Sequence, residues 1–248
     1  MNTQRYFLKL SYKGTNYCGW QIQPNDKTVQ GEINDTLKKL NHNIDVLSMG
    51  CGRTDTGVHA LNFYAHFDFP NIDDLNHFKF KMNNMLPDDI VIHKVIKVEV
   101  QHHTRYDATS RTYHYYINTV KDPFKIDTSL LIQQNLDFNK MNQACQILMS
   151  HKNFEAFSKV KTSVKTFNCT ITSAHWEKTD NGYIFKITAN RFLRNMIRSI
   201  VGTMLDLGQN RIELDDLNDI INSKDRDMAG KSVSPNGLFL TDIKYPYL

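Results

Sequence analysis

Asn62-Phe63-Tyr64-Ala65-His66-Phe67-Asp68-Phe69 is aromatic and alternating, the pattern of a β-strand. Just beyond it the period changes. Leu75, Phe78, Met82 and Met85 fall on one face of a helix over Asp73 to Met85, with Pro87 after its end. Asp89 to Val100 then reads as a strand of β-branched residues. Working back from Asn62, Ile44 to Met49 reads as a short strand. Thr28 to Leu40 reads as a helix carrying Val29, Ile33, Leu37 and Leu40, and Tyr6, Leu8, Leu10 and Tyr12 mark a first strand. Thr28 suits an N-cap, although Gly31 leaves no capping box. The order is β-α-β-β-α-β, a ferredoxin-like unit.

The second half reads the same way. Thr112 to Thr119 is a tyrosine-rich strand, and Asn139 to Ser150 a helix turning Met141, Ala144, Cys145 and Leu148 inward. Thr170 to Lys178 and Tyr183 to Asn190 form strands joined at Asp180-Asn181-Gly182. Arg191 to Leu207 is an amphipathic helix ended by Gly208 as its C′ residue. A short helix near Asp215 to Ser223 precedes a last strand, Leu238 to Lys244. The expected fold class is therefore α/β, of the α+β kind, with two ferredoxin-like halves and a cleft between them. The join lies near Gln101 to Asp107, giving domains 1–104 and 105–248. Val120 to Gln134 and Ser158 to Asn168 are the longest irregular stretches.

The chain has 248 residues, 40% hydrophobic and 23% charged, an ordinary globular composition. No apolar run approaches the roughly 18 residues of a membrane span, and Met1 to Leu10 does not read as a signal peptide. A cytoplasmic protein is expected. Cys18, Cys51, Cys145 and Cys169 are far apart and form no C-x-x-C pair, so a disulfide framework or zinc site is not expected. His102-His103 reads as a surface pair. A net charge of +4 and a pI near 8.7 hint at an acidic partner.

Cys51-Gly52-Arg53-Thr54-Asp55-Thr56-Gly57-Val58-His59-Ala60 lies between two strands. Glycines there permit tight backbone and close approach of a ligand. Arg53 and Asp55 are two residues apart, so in extended backbone they point the same way, and a guanidinium nearby keeps a carboxylate ionised. Taken alone, these residue types more often make a turn with a structural ion pair. At about 100° per residue, Arg191, Arg194 and Arg198 share one helix face, opposite Phe192, Leu193, Met196, Ile197, Ile200 and Met204. Such a stripe suits RNA phosphate, although a solvated helix face is commoner. Lys159, Lys161 and Lys165 form a second basic cluster.

The stretch Gly52 to Ala60 closely resembles the G-R-T-D-A-G-V-H-A signature of the tRNA pseudouridine synthase A family, with Thr56 in place of alanine. Tyr12-Lys13-Gly14-Thr15-Asn16-Tyr17-Cys18-Gly19-Trp20-Gln21 resembles that family's opening, and Thr28-Val29-Gln30-Gly31-Glu32 its helix start. Arg111-Thr112-Tyr113-His114-Tyr115 resembles its R-x-Y-x-Y strand. Phe192-Leu193-Arg194-Asn195-Met196-Ile197-Arg198, then Gly202, resembles its F-L-x-x-M-V-R helix, and Gly237-Leu238 its C-terminal G-L element.

The resemblance implies an enzyme that detaches uracil from ribose, turns it and rejoins it through carbon. It implies Asp55 as the catalytic group, whether by attack on sugar, attack on base or removal of a ribose proton. It implies Arg53 displacing the target base and contacting phosphate, Tyr113 stacking on uracil, Arg198 pairing with the aspartate, and Leu238 packing at the base site. The implied substrate is the anticodon arm of tRNA at nucleotides 38 to 40, the implied assembly a homodimer, and neither cofactor nor metal is expected. One motif carboxylate fits isomerisation better than glycoside hydrolysis, which normally uses two. The alternatives are action on another RNA, or a non-catalytic RNA-binding protein of the same fold. Two departures stand out. Ser234 replaces the usual proline of the pattern leading to Gly237, and Asn153 stands where aspartate is common.

Overall fold

The structure is a computed structural model describing residues 3–159 and 164–248. In chain order its elements are β1 (Gln4–Tyr12), α1 (Val29–Leu40), β2 (Met49–Gly50), β3 (His59–Phe69), α2 (Leu75–Met85), β4 (Ile90–Val98), β5 (Ser110–Asn118), β6 (Leu130–Leu131), α3 (Phe138–Ser150), β7 (Ile171–Thr179), β8 (Gly182–Ala189), α4 (Met196–Gly208), α5 (Leu214–Ser223) and β9 (Leu238–Lys244). The α+β class is as the periodicity predicts. Two compact units result. One runs to Thr109 and includes Phe239–Leu248, and the other is Ser110–Leu238.

In the first unit β1 pairs antiparallel with β3 and with β4, and β9 joins β3 in parallel through His59↔Phe239 and Ala60↔Leu240. Tyr6, Leu8 and Leu10 lie opposite Phe67, Ala65 and Phe63. These residues are buried, as are Val29, Ile33 and Leu37 of α1 and Phe78 and Met82 of α2. Fully burying each large apolar side chain contributes roughly 1.5–3 kcal/mol. Thr28 caps α1 by accepting from the Gly31 amide, and Asp74 caps α2 by accepting from the amides of Asn76 and His77.

The strand expected over Ile44 to Met49 shrinks to Met49–Gly50. Its lead-in is spoken for. Asn34 of α1 accepts from both the Ser48 amide and hydroxyl, and Gln30 donates to the Ser48 carbonyl. His42 and Asn43 both have left-handed φ, which interrupts extended backbone before it.

The expected boundary at 104/105 also moves. Thr104 is fully buried. Its hydroxyl bonds the Met49 carbonyl and His66 Nδ1, and its carbonyl accepts from the Tyr245 hydroxyl. The Tyr247 hydroxyl bonds Asp107, and the Thr109 amide donates to the Lys244 carbonyl. The C-terminal tail thus ties residues 104–109 into the first unit, and β9, read as the closing strand of the second half, belongs to the first from Phe239 on. The expected surface pair His102-His103 is also engaged. His102 stacks on Tyr247 at 3.8 Å, and His103 Nδ1 accepts from the amides of Arg105 and Tyr106.

The second unit has β8 between β5 and β7, both antiparallel to it, with β6 parallel to β5. Tyr115, Ile117, Trp176, Phe185 and Ile187 are buried along with Ala144, Leu148, Ile200 and Met204 of α3 and α4. Gly208 is not a left-handed C′ residue. It is the last residue of α4, where a Cβ would lie 2.6 Å from Met141 Sδ, so it lets α3 and α4 approach. Asn210, at φ 55, takes the left-handed position instead. All four cysteines are free thiols, and burial pushes Cys145 up to about 12 and Cys169 up to about 11.

Burial holds His66 down at about 4, well below 6.5, and His103 and Arg5 add to the effect. The unfolded chain therefore binds a proton that the folded one refuses. The His66 contribution to stability is complete above about pH 6.5 and is lost as pH falls from there to about 4. Urea denaturation across that range should show a smaller acid loss in His66→Gln than in wild type.

Candidate active site

The Asp55 loop is held mostly by backbone. Thr54 is buried and its hydroxyl bonds the Tyr12 hydroxyl at 2.8 Å. The Trp20 amide donates to the Thr54 carbonyl, and the Gly57 amide donates to the Tyr17 carbonyl. The Asp55 carbonyl accepts from the Val58 amide, closing a turn over Asp55 to Val58. Gly57 has φ 79 at its third position, where such a turn favours glycine. Thr56, the departure from the family pattern, is exposed at the second position, which most residues tolerate.

Two glycines of the Tyr12 to Gln21 stretch make room for this loop. A Cβ on Gly14 would lie 2.0 Å from the Val58 carbonyl oxygen, and one on Gly19 would lie 2.3 Å from that of Thr54. Gly19 also has φ 82. His59, almost fully buried, accepts the Gly14 amide at Nδ1 and stacks on Phe239 at 4.4 Å. Beneath the loop's start, Trp20 stacks on Phe63 at 4.2 Å. In the sequence Tyr12 reads as a strand residue and Gly14, Gly19 and His59 only as members of the family strings, with nothing to mark them as holding this loop. The signal was present as two glycines in a ten-residue stretch, but their partner lies some forty residues away.

The result is a half-buried Asp55 on a fixed turn beside an exposed Arg53. Both residues precede the central residues of the turn, Thr56 and Gly57.

In the second unit, Tyr113 of β5 is half-buried opposite Ile187, with its ring edge-on to Phe192 at 5.3 Å. Its neighbour Tyr115 is the core residue, and its hydroxyl donates to the Ser234 carbonyl at 2.7 Å. Arg198, in the first turn of α4, donates through Nε to the Val233 carbonyl at 2.7 Å, and the Val233 amide donates back to the Arg198 carbonyl. Burial pushes the Tyr115 phenol up, with the Arg198 charge pulling the other way. One segment, Val233–Leu238, thus holds Arg198 and meets the Tyr113 strand through Tyr115. It ends at Leu238, which is buried.

The arginine stripe is corrected. α4 begins only at Met196, because Asn195 is left-handed at φ 67 and its side chain bonds Ser232. Arg191 and Arg194 precede the helix, and the Arg194 carbonyl accepts from the Lys159 amide. Of the lysine cluster, Lys159 and Lys165 are exposed, and Lys161 lies outside the described residues. The two departures prove mild. Ser234 has φ −54 and ψ 144, a conformation proline itself adopts. Asn153 accepts from the Glu155 amide, a role aspartate fills equally well.

Tyr12→Phe leaves the buried Thr54 hydroxyl without that partner and should cost about 1 kcal/mol in urea denaturation. Gly19→Ala should cost more. It should also speed trypsin cleavage after the exposed Arg53, read by mass spectrometry of timed digests.

A family profile described as tRNA pseudouridine synthase matches residues 144–246. The tRNA pseudouridine synthase A of Parabacteroides distasonis is 47% identical over 244 residues, covering 98% of this chain and 96% of that protein. The Bacteroides fragilis protein of the same name is 45% identical, with 99% and 98% covered. That of Streptococcus agalactiae is 37% identical, with 97% and 95% covered. With identity this high along nearly its whole length, the chain belongs to the tRNA pseudouridine synthase A family.

Proposed function

We propose that this tRNA pseudouridine synthase acts on the anticodon stem-loop at nucleotides 38 to 40, with Asp55 as its catalytic carboxylate. The observation that carries this is the Asp55 turn, clamped by the backbone of Gly14, Tyr17, Gly19 and Trp20 while its side chain stays partly open. A catalytic group gains most when its geometry is set before substrate arrives.

The reaction is an isomerisation. The bond from uracil N1 to the ribose carbon breaks, a bond from C5 to that carbon forms, C5 loses a proton and N1 gains one. Every atom of the product comes from the substrate, so no co-reactant is consumed. A paired base must first leave its stack, at a cost of a few kcal/mol. Exposed Arg53 suits displacement of that base and contact with phosphate. Tyr113, held edge-on by Phe192, supplies a face for the uracil, returning roughly 1–3 kcal/mol. Arg198, by its place in the family's helix string, supplies positive charge, and Leu238 an apolar wall for the base. The enzyme works as a homodimer in the cytoplasm, where its substrate is found.

Pseudouridine mapping on total tRNA should show product with wild type and none with Asp55→Ala or Asp55→Asn. Equal product from all three would overturn the assignment. Wild-type activity confined to other RNA would move the substrate. Tyr113→Phe should keep part of the activity and Tyr113→Ala lose at least tenfold. Normal turnover by the alanine variant would remove the stacking role.

A further inference from the structure

The stretch Thr119 to Ser129 leaves β5 as an irregular excursion, but it is not loose. Asp122-Pro123-Phe124-Lys125 closes a turn in which the Lys125 amide donates to the Asp122 carbonyl and the Phe124 amide to the Asp122 carboxylate. Aspartate first and proline second are the residues such a turn prefers. A second turn follows at once, the Thr128 amide and Ser129 hydroxyl both donating to the Lys125 carbonyl. The Asn236 side-chain amide then donates to the carbonyls of Ile126 and Ser129, each at 2.8 Å. The excursion is thereby tied to the Pro235–Gly237 turn that leads into Leu238.

This rigid double turn holds Phe124 at its tip with 93% of its surface exposed, more than any other large apolar side chain described. Ile126 and Val120 are also largely exposed, and Lys121, three residues before Phe124, and Lys125, the residue after it, are exposed as well, as is Asp127. The Asp122 carboxylate is engaged as the cap of the turn. An exposed aromatic face on an ordered turn, with lysines close to it in the chain, has the chemistry of a single-stranded nucleic-acid contact. The ring stacks on any unpaired base, and the lysines meet the flanking phosphates. Because the turn is already ordered, little conformational freedom is lost on binding.

We propose that Phe124 stacks on an unpaired base of the bound tRNA, with Lys121 and Lys125 on the adjoining backbone, forming a contact apart from the residues assigned to the reacting uridine. The Asn236 clamp makes the contact mechanically continuous with the segment ending at Leu238. This inference rests on tRNA being the substrate.

The test is tRNA affinity and steady-state kinetics for wild type, Phe124→Ala, Phe124→Trp and the double variant Lys121→Ala with Lys125→Ala, with sedimentation velocity on each protein. Phe124→Ala should weaken tRNA binding and raise KM about tenfold, and Phe124→Trp should bind within about twofold of wild type because stacking tolerates any aromatic ring. The double lysine variant should reduce the slope of log affinity against log salt by about 2. Wild-type turnover together with an unchanged Kd for Phe124→Ala overturns the contact alone. Altered sedimentation with unchanged tRNA affinity assigns the tip to a protein contact and also overturns it. A wild type that neither binds nor modifies tRNA overturns the substrate reading, and this inference with it.

Discussion

A peptide carbonyl at Thr54 lies where a Cβ on Gly19 would stand, and another at Val58 fills the same place beside Gly14. Much of the first unit is arranged around this backbone-on-backbone contact. Side chains would hold two loops together through rotatable bonds, each with rotamer freedom to lose. Direct amide-to-carbonyl bonds from Trp20 and Gly57 leave little slack. The aromatic stack of Trp20 on Phe63 supports the loop from below, and His59 fixes its far end against Phe239 of β9. The last strand of the chain therefore belongs to the frame of the Asp55 loop as much as the first strand does.

The second unit applies the same economy with a different device. A single irregular segment, Val233–Leu238, accepts from Arg198 and from Tyr115, and through Asn236 it reaches the double turn that carries Phe124. Irregular backbone suits this task because its carbonyls are not committed to a ladder and can each accept from a different element. Arg198, the Tyr113 strand, Leu238 and the Phe124 tip are four places given a role on RNA, and all four meet this segment.

The first strand pair and most helices were legible in the sequence because their burial follows the period of the element, as in Val29-Ile33-Leu37 and Phe78-Met82. The family strings singled out Asp55, Arg53, Tyr113, Arg198 and Leu238. Legibility failed where long-range bonds override local pattern. Ser48 reads as strand but spends its groups on Asn34 and Gln30. Arg191 to Leu207 reads as one helix, yet Asn195 turns left-handed and is held there by Ser232. The positively charged stripe was a projection of helical spacing onto residues that precede the helix.

By itself the sequence determined the α+β class and the family and singled out the candidate site residues, since these depend on residue types and short spacings that survive in one dimension. Tertiary structure alone decided which backbone holds the Asp55 turn, that α4 starts only at Met196, and that residues 104–109 and β9 join the first unit. Each of these depends on contacts at long range in the chain, from Trp20 to Thr54 up to the 141 residues between Thr104 and Tyr245. A hydrogen bond or a missing Cβ at such range leaves no periodic trace in the chain, and shows only when both partners are in place.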